Sequence, residues 1–227
     1  MTDFERQRIT MVESQLRPNQ VTDPRLLAAM RTLPRQRFVP HELGALAYMD
    51  GAIEVFPSID GAPPRFLLSP MVLARLIQLA AVEPDDCVLD VGCATGYSTA
   101  VLARLGRSVV GLEPEPELAA AARATLQGLG IGNAEIVEGD LARGHPDAGP
   151  YDVIVLNGSV PVPPETLIAQ LVEGGRLAAV LSTGAGFGSQ GKAYLFVKVG
   201  EEVSGVPHFD AGARPLPGFA AEPCFSL

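Results

Sequence analysis

Four residues near the middle of the 227-residue chain have the types and spacing to hold a nucleotide: Asp90, Gly92, Gly96 and Glu113. Around them the sequence reads Val88-Leu89-Asp90-Val91-Gly92-Cys93-Ala94-Thr95-Gly96-Tyr97, then passes into a helical pattern over 98–105. An apolar run that ends at two glycines and a helix predicts strand, tight turn and helix, the first unit of a nucleotide-binding α/β sheet. Glycine at 92 and 96 permits backbone geometry and a ligand approach that a side chain would block. A helix N-terminus behind the turn offers unpaired N–H groups. Glu113 closes the next apolar run, 108–113, and lies 21 residues after Gly92. There its carboxylate can accept from both hydroxyls of a ribose.

Spacing selects the nucleotide. A dinucleotide G-x-G-x-x-G turn needs glycine at 92, 94 and 97, where this chain has Gly92, Ala94 and Tyr97. The G-x-G-x-G turn typical of S-adenosyl-L-methionine (SAM) enzymes needs 92, 94 and 96, and finds Gly92, Ala94 and Gly96. Asp90, two positions before the first glycine, suits SAM enzymes as well. SAM is the expected cofactor, and Tyr97 speaks against a nicotinamide dehydrogenase.

The elements that must position these residues follow from periodicity. Residues 4–17 carry Ile9, Met11, Val12 and Leu16 among charges, an amphipathic helix. Thr22-Asp23-Pro24 starts a second helix through Leu33, and Pro70 opens a third through Ala80. Between them, prolines and glycines punctuate residues 35–66 as an irregular cap. After Glu113 the pattern gives a helix from Pro114 to about 129, a strand at 134–137 and a polar loop at 142–150. A buried strand at 151–156, a helix at 164–171 and a strand at 176–181 come next. Gly184, Gly186, Gly188 and Gly191 read as a turn before a strand at 193–199, and residues from 200 onward as an extended tail. Strands alternating with helices mean a mostly parallel, Rossmann-like sheet with helices on both faces. The division expected is 1–69 as N-terminal helical and cap region and 70–227 as the SAM-binding domain.

Bulk properties narrow the class. A hydrophobic fraction of 47% and a mean hydropathy of +0.22 suffice for a folded core. A net charge of −9 argues against a nucleic-acid partner. No apolar stretch reaches the length of a membrane span, and the polar N-terminus lacks a secretory pattern. Cys87, Cys93 and Cys224 are odd in number and irregularly spaced, which predicts free thiols in a cytoplasmic protein. His41, His145 and His208 are far apart, so no metal site is expected.

With these residues in place the chain resembles the protein-L-isoaspartate O-methyltransferase family over roughly residues 10–199. The resemblance is carried by Val12-Glu13-Ser14-Gln15-Leu16, Arg37-Phe38-Val39-Pro40, Ala47-Tyr48-Met49-Asp50 and the turn itself. Glu138-Gly139-Asp140, Pro150-Tyr151-Asp152-Val153-Ile154 and residues 170–177 carry it further. It implies a seven-stranded SAM-binding sheet with an N-terminal helical addition, and methylation of carboxylates on altered aspartyl residues, the first step of protein repair. Residues Gly92, Cys93, Ala94 and Gly96 would then lie against the methionine part of SAM, with Asp90 nearby and Glu113 on the ribose. Asp140 would meet the adenine amino group beside the Leu141 backbone. Leu67, Leu68, Ser69, Pro114 and Asn157 complete the expected cofactor shell.

Departures from the family concentrate on the acceptor side. The family carries Gln/Ala-Thr-Ile-Ser-x-Pro ahead of the third helix, and its serine borders the transferred methyl. Here the stretch is Arg65-Phe66-Leu67-Leu68-Ser69-Pro70, which puts Leu68 at the serine position and Ser69 beside it. Neighbouring residues of an extended segment face opposite ways, so Ser69 does not simply replace the lost hydroxyl. No catalytic residue is therefore assigned. Leu141 stands for a family glycine, Asn157-Gly158-Ser159 stand where alanines are usual, and the stretch 209–219 does not follow the family's closing strand. Three activities stay open at this point: methylation of isoaspartyl carboxylates, methylation of another acceptor, including a small molecule, and SAM binding without transfer.

Overall fold

The computed structural model describes residues 3–58, 63–182, 190–200 and 202–219. α1 (Asp3–Met11) runs directly into a π-helical turn (Val12–Leu16) and a 3-10 turn (Arg17–Asn19). The expected buried stripe is there, with Met11, Val12 and Leu16 fully buried, but the winding changes along it. α2 (Pro24–Thr32) is capped by Asp23, whose carboxylate accepts from the Arg25 and Leu26 N–H groups. Two 3-10 turns and an antiparallel ribbon, β1 (Ile53–Phe56) with β2 (Arg65–Leu67), form the region between α2 and α3 (Pro70–Ala80).

The sheet follows: β3 (Cys87–Val91), α4 (Tyr97–Leu102), β4 (Ser108–Glu113), α5 (Pro116–Gly128), β5 (Ala134–Glu138), β6 (Tyr151–Val160), α6 (Glu165–Ile168), β7 (Leu171–Leu181), β8 (Gln190–Val199) and β9 (Glu202–Gly212). Seven strands lie in the order β5-β4-β3-β6-β7-β8-β9. The first five in that order are parallel, β8 runs antiparallel to β7, and β9 runs antiparallel to β8. The direction of winding reverses at β3, which has β4 on one side and β6 on the other. The carboxyl ends of those strands therefore border the crevice where ligands enter such sheets.

Several boundaries differ from the sequence reading. α5 begins at Pro116, because Pro114 belongs to an extended link and Glu115 is the N-cap. The helix expected over 164–171 contracts to the single turn of α6, and β7 starts at Leu171 instead of 176. Gly191 lies inside β8, while 184, 186 and 188 fall outside the described residues. The largest correction is β9: residues 202–212 are an edge strand and not an extended tail. Pro207 hides it in the sequence, yet an edge tolerates proline because its missing N–H faces away from the ladder. The register shifts beside it, between Ala193 and Tyr194.

One apolar cluster joins Met11, Leu26 and Phe38 to Val88, Tyr97 and Ala178, so α1, α2 and the turn at Phe38 share a core with the sheet. On the opposite face Leu89, Val91, Ile154, Leu156 and Leu177 pack together, and Leu216 joins them from beyond β9.

Candidate active site

The turn after β3 has the shape its glycines imply. Gly92, Ala94 and Gly96 take φ of +74°, +49° and +89°. For Ala94 this is an uncommon conformation, stabilised by its N–H donating to Glu113 Oε2 at 2.7 Å. The Gly92 and Cys93 N–H groups both reach the Leu112 carbonyl, and Gly96 donates to the Cys93 carbonyl at 2.8 Å. The turn is thus tied to the end of β4. Tyr97, at the position a dinucleotide site would give to glycine, is fully buried with its ring edge-on to Phe38.

The acids divide into different roles. Asp90 is fully buried: Oδ2 accepts from Ser98 Oγ (2.7 Å) and Thr99 Oγ1 (2.6 Å), and Oδ1 from Asn157 Nδ2 (2.6 Å). Burial raises its pKa to about 6, against the pull of the Thr99, Ser98 and Asn157 hydrogen bonds, and Glu113 adds to the rise. Asp90 and Asn157 therefore brace β3, α4 and β6 against one another. Asp140, after β5, is exposed and accepts from the Ala142 N–H at 2.8 Å, with Leu141 buried beside it.

Glu113 stands at the crevice end of β4, but its carboxylate has a partner that the sequence reading missed. Arg65 Nε reaches Oε1 at 3.1 Å and Nη2 reaches Oε2 at 2.8 Å. Arg65 comes from β2, 48 positions away, and nothing local in the sequence announces the pairing. Leu216 was missed as well. A Cβ on Gly92 would stand 2.7 Å from Leu216 Cδ2, 3.2 Å from Arg65 Nη2 and 3.5 Å from Leu141 Cδ1.

The structure places Leu67 and Leu68 near the turn, both buried. Together with Gly92, Cys93, Ser98 and Asn157 they line a cavity of about 10 Å³, room for one water molecule. The Leu68 carbonyl accepts from Arg35 Nη2 at 2.7 Å, and Arg35 Nε donates to the Ala47 carbonyl at 2.8 Å. Arg35 is wholly buried over the Tyr97 ring, a further residue absent from the sequence reading. Ser69 Oγ accepts from the Val72 N–H at 3.4 Å and caps α3. Pro114 is half-buried just past Glu113.

A hollow of about 1120 Å³ lies elsewhere, between α6 and the β8–β9 hairpin, and none of the turn or strand-tip residues line it. Among the described residues no group of His, Cys, Asp and Glu could hold a metal ion, and no helix is long and apolar enough to cross a membrane.

A winding reversal at β3, a glycine turn and acids at the ends of β3 and β4 define a nucleotide-binding sheet of the methyltransferase class. Comparison with known proteins is more specific. The profile of the protein-L-isoaspartate(D-aspartate) O-methyltransferase family matches residues 6–203, and the chain belongs to this family. A protein-L-isoaspartate O-methyltransferase of Herpetosiphon aurantiacus is 39% identical over 176 residues, covering 78% of this chain and 76% of its own. One of Methanoculleus marisnigri is 39% identical over 174 residues, covering 77% and 76%. A solved protein-L-isoaspartate O-methyltransferase superposes with a TM-score of 0.78 at 26% identity, covering 93% of this chain and 66% of that one.

The family consists of SAM-dependent methyltransferases, and the donor set here suits that cofactor in kind. A turn with Gly92 and Gly96 in the left-handed region gives backbone access, Glu113 ends β4, and Asp140 follows the adjacent β5. In the conformation described, however, Arg65 already holds Glu113 and Leu216 covers Gly92.

Proposed function

We propose that this protein methylates the carboxylate of altered aspartyl residues in proteins, with SAM as donor. The observation that carries the reading is the glycine turn beside Glu113 at the winding reversal, in a chain matched to the family over residues 6–203. When bound, SAM supplies a methyl group activated on a sulfonium.

The chain's own residues then do three things. Gly92, Cys93, Ala94 and Gly96 offer backbone along the amino-acid part of the cofactor, Glu113 takes the ribose hydroxyls, and Asp140 with Leu141 and Pro114 border the base. Asp90 and Asn157 hold the turn in register. Phe66, Leu67 and Leu68 make an apolar wall that excludes water from the transfer, with Ser69 behind it and residues 1–69 as the acceptor-side cap. A carboxylate acceptor is already ionised at neutral pH, so no general base is needed. Alignment and exclusion of water carry the acceleration, up to about 7–11 kcal/mol for well-placed reactants. A cytoplasmic site of action fits the free thiols of Cys87 and Cys93.

The test is transfer of labelled methyl from SAM to a synthetic isoaspartyl peptide, with the matching aspartyl peptide as control. Base-labile label on the isoaspartyl peptide alone is expected. Label on neither peptide, with SAM bound, would overturn the reading.

A further inference from the structure

Beyond β9 the chain turns back across the sheet. Ser159 N–H donates to the Arg214 carbonyl at 2.8 Å, the Leu216 N–H returns to the Ser159 carbonyl at 2.9 Å, and Ser159 Oγ donates to the Ala213 carbonyl at 3.2 Å. Pro215 thereby sits as a parallel bridge beside the end of β6. These bonds aim Leu216 into the crevice. Its side chain is 5% exposed, with Cδ2 at 2.7 Å from a Cβ position on Gly92 and Cγ at 2.6 Å from one on Gly158. Two glycines on different strand ends thus open onto one leucine. Two residues further on, a Cβ on Gly218 would lie 3.2 Å from Asp140 Oδ1, and Phe219 packs partly buried on the same apolar cluster. Residues 216–219 therefore run from the glycine turn to the end of β5.

Arg65 completes the closure. Its guanidinium holds both Glu113 oxygens and stands 3.2 Å from the Cβ position on Gly92. Arg214 lies over the Phe66 ring at 5.0 Å and ties the returning segment to β2. What remains open beside Leu216 and Asn157 is a second cavity of about 10 Å³. A ligand of SAM's size needs roughly 300 Å³ or more.

We propose that residues 213–219 are an internal occupant of the cofactor crevice, beside the Arg65–Glu113 pair, which the cofactor must displace in order to bind. The proposal rests on the reading of this crevice as the SAM site. Binding then draws on the fraction of molecules in which the segment is released. A released fraction of about 1–10% weakens apparent affinity by about 10–100-fold relative to an open site. The occupant belongs to the same chain, so its effective concentration does not depend on that of the protein.

The experiment uses the full chain and S-adenosyl-L-homocysteine as probe. Calorimetry compares the wild type with Leu216→Gly and with a chain ending at residue 212, each checked for folding by thermal melt. Both variants are expected to bind at least about tenfold more tightly. Amide hydrogen exchange on the wild type supplies a readout independent of activity: the Ser159 and Leu216 N–H groups should exchange faster with the probe bound. Equal or weaker binding by folded Leu216→Gly, with Ser159 and Leu216 protected by the probe, overturns the proposal. It would show that the segment is a wall of the site, and the cofactor reading would stand. Absence of probe binding in the wild type and both folded variants overturns the cofactor reading and the proposal together.

Discussion

Arg65 and Glu113 meet at the crevice as a two-point ion pair, 2.8 Å and 3.1 Å between the closest atoms, with side chains only 4% and 0% exposed. Two charges this deeply buried depend on each other. Removing Glu113 alone leaves a guanidinium without a counter-charge and the Ala94 N–H without its acceptor. Loss of one partner of a buried pair costs about 3–5 kcal/mol. Glu113→Ala is expected to lose that much in urea unfolding, whereas Arg65→Met with Glu113→Leu should recover most of it. A Glu113→Ala midpoint equal to wild type would contradict the pairing.

Asp90 makes stability depend on pH in an unusual direction. Its pKa rises from 3.8 to about 6 on folding, because burial outweighs three hydrogen bonds. Below pH 3.8 the carboxyl is neutral in both states. As pH rises towards 6 the unfolded chain gives up the proton first, and stability falls until the folded form also ionises. The contribution lost between pH 4.5 and 7.5 is about 2 kcal/mol. Asp90→Asn should remove this component, so its stability relative to wild type improves by that amount over the interval. Parallel pH profiles for the two proteins would refute it.

The two thiols in the described residues should differ in reactivity. Cys93 is buried, and desolvation together with Asp90 and Glu113 holds its pKa well above the usual thiol range. Cys87 is half-buried with Arg107 Nη2 at 2.8 Å from its sulfur. Partial exposure leaves Cys87 within reach of a reagent, whereas Cys93 is closed off from it. Alkylation of the native protein followed by peptide mapping should label Cys87 early and Cys93 only on unfolding. Equal early labelling would mean that the turn opens readily.

What the sequence reveals and what it hides have different physical origins. The 108–113 strand, the Asp23 cap and the helix from Pro70 are local events, decided by residues a few positions apart, and they lie where the sequence puts them. The turn from Gly92 to Gly96 is legible for the same reason. Arg65 and Glu113 are brought together by the β1–β2 ribbon folding over the sheet, and no period or spacing encodes that. Leu216 reaches Gly92 only because β9 exists to turn the chain back, and Pro207 masks β9. Arg35 sits two positions before the Arg37-Phe38-Val39-Pro40 block, yet its burial over Tyr97 depends on α4 packing beneath the N-terminal region.

The last prediction concerns Leu68, which stands where the family resemblance places a serine. Leu68 is 4% exposed and its carbonyl accepts from Arg35, so the main chain is fixed and only the side chain differs from a hydroxyl donor. Ser69 caps α3 through its Oγ and is committed to the first turn of that helix. A hydrogen bond to a charged group contributes about 1.5–3 kcal/mol, or about one to two decades in rate. Turnover of an isoaspartyl peptide is therefore expected to be slower by that factor than in a serine-bearing relative assayed alongside. Leu68→Ser should raise kcat by about tenfold without a matching change in KM, since the added donor acts at the transferring methyl. It should also lower stability by about 2 kcal/mol or more, because apolar contacts are exchanged for a hydroxyl in a nearly dry cavity. If wild-type turnover already equals that of the relative and Leu68→Ser leaves kcat unchanged, a backbone N–H or Ser69 supplies the donor and the leucine is no obstacle.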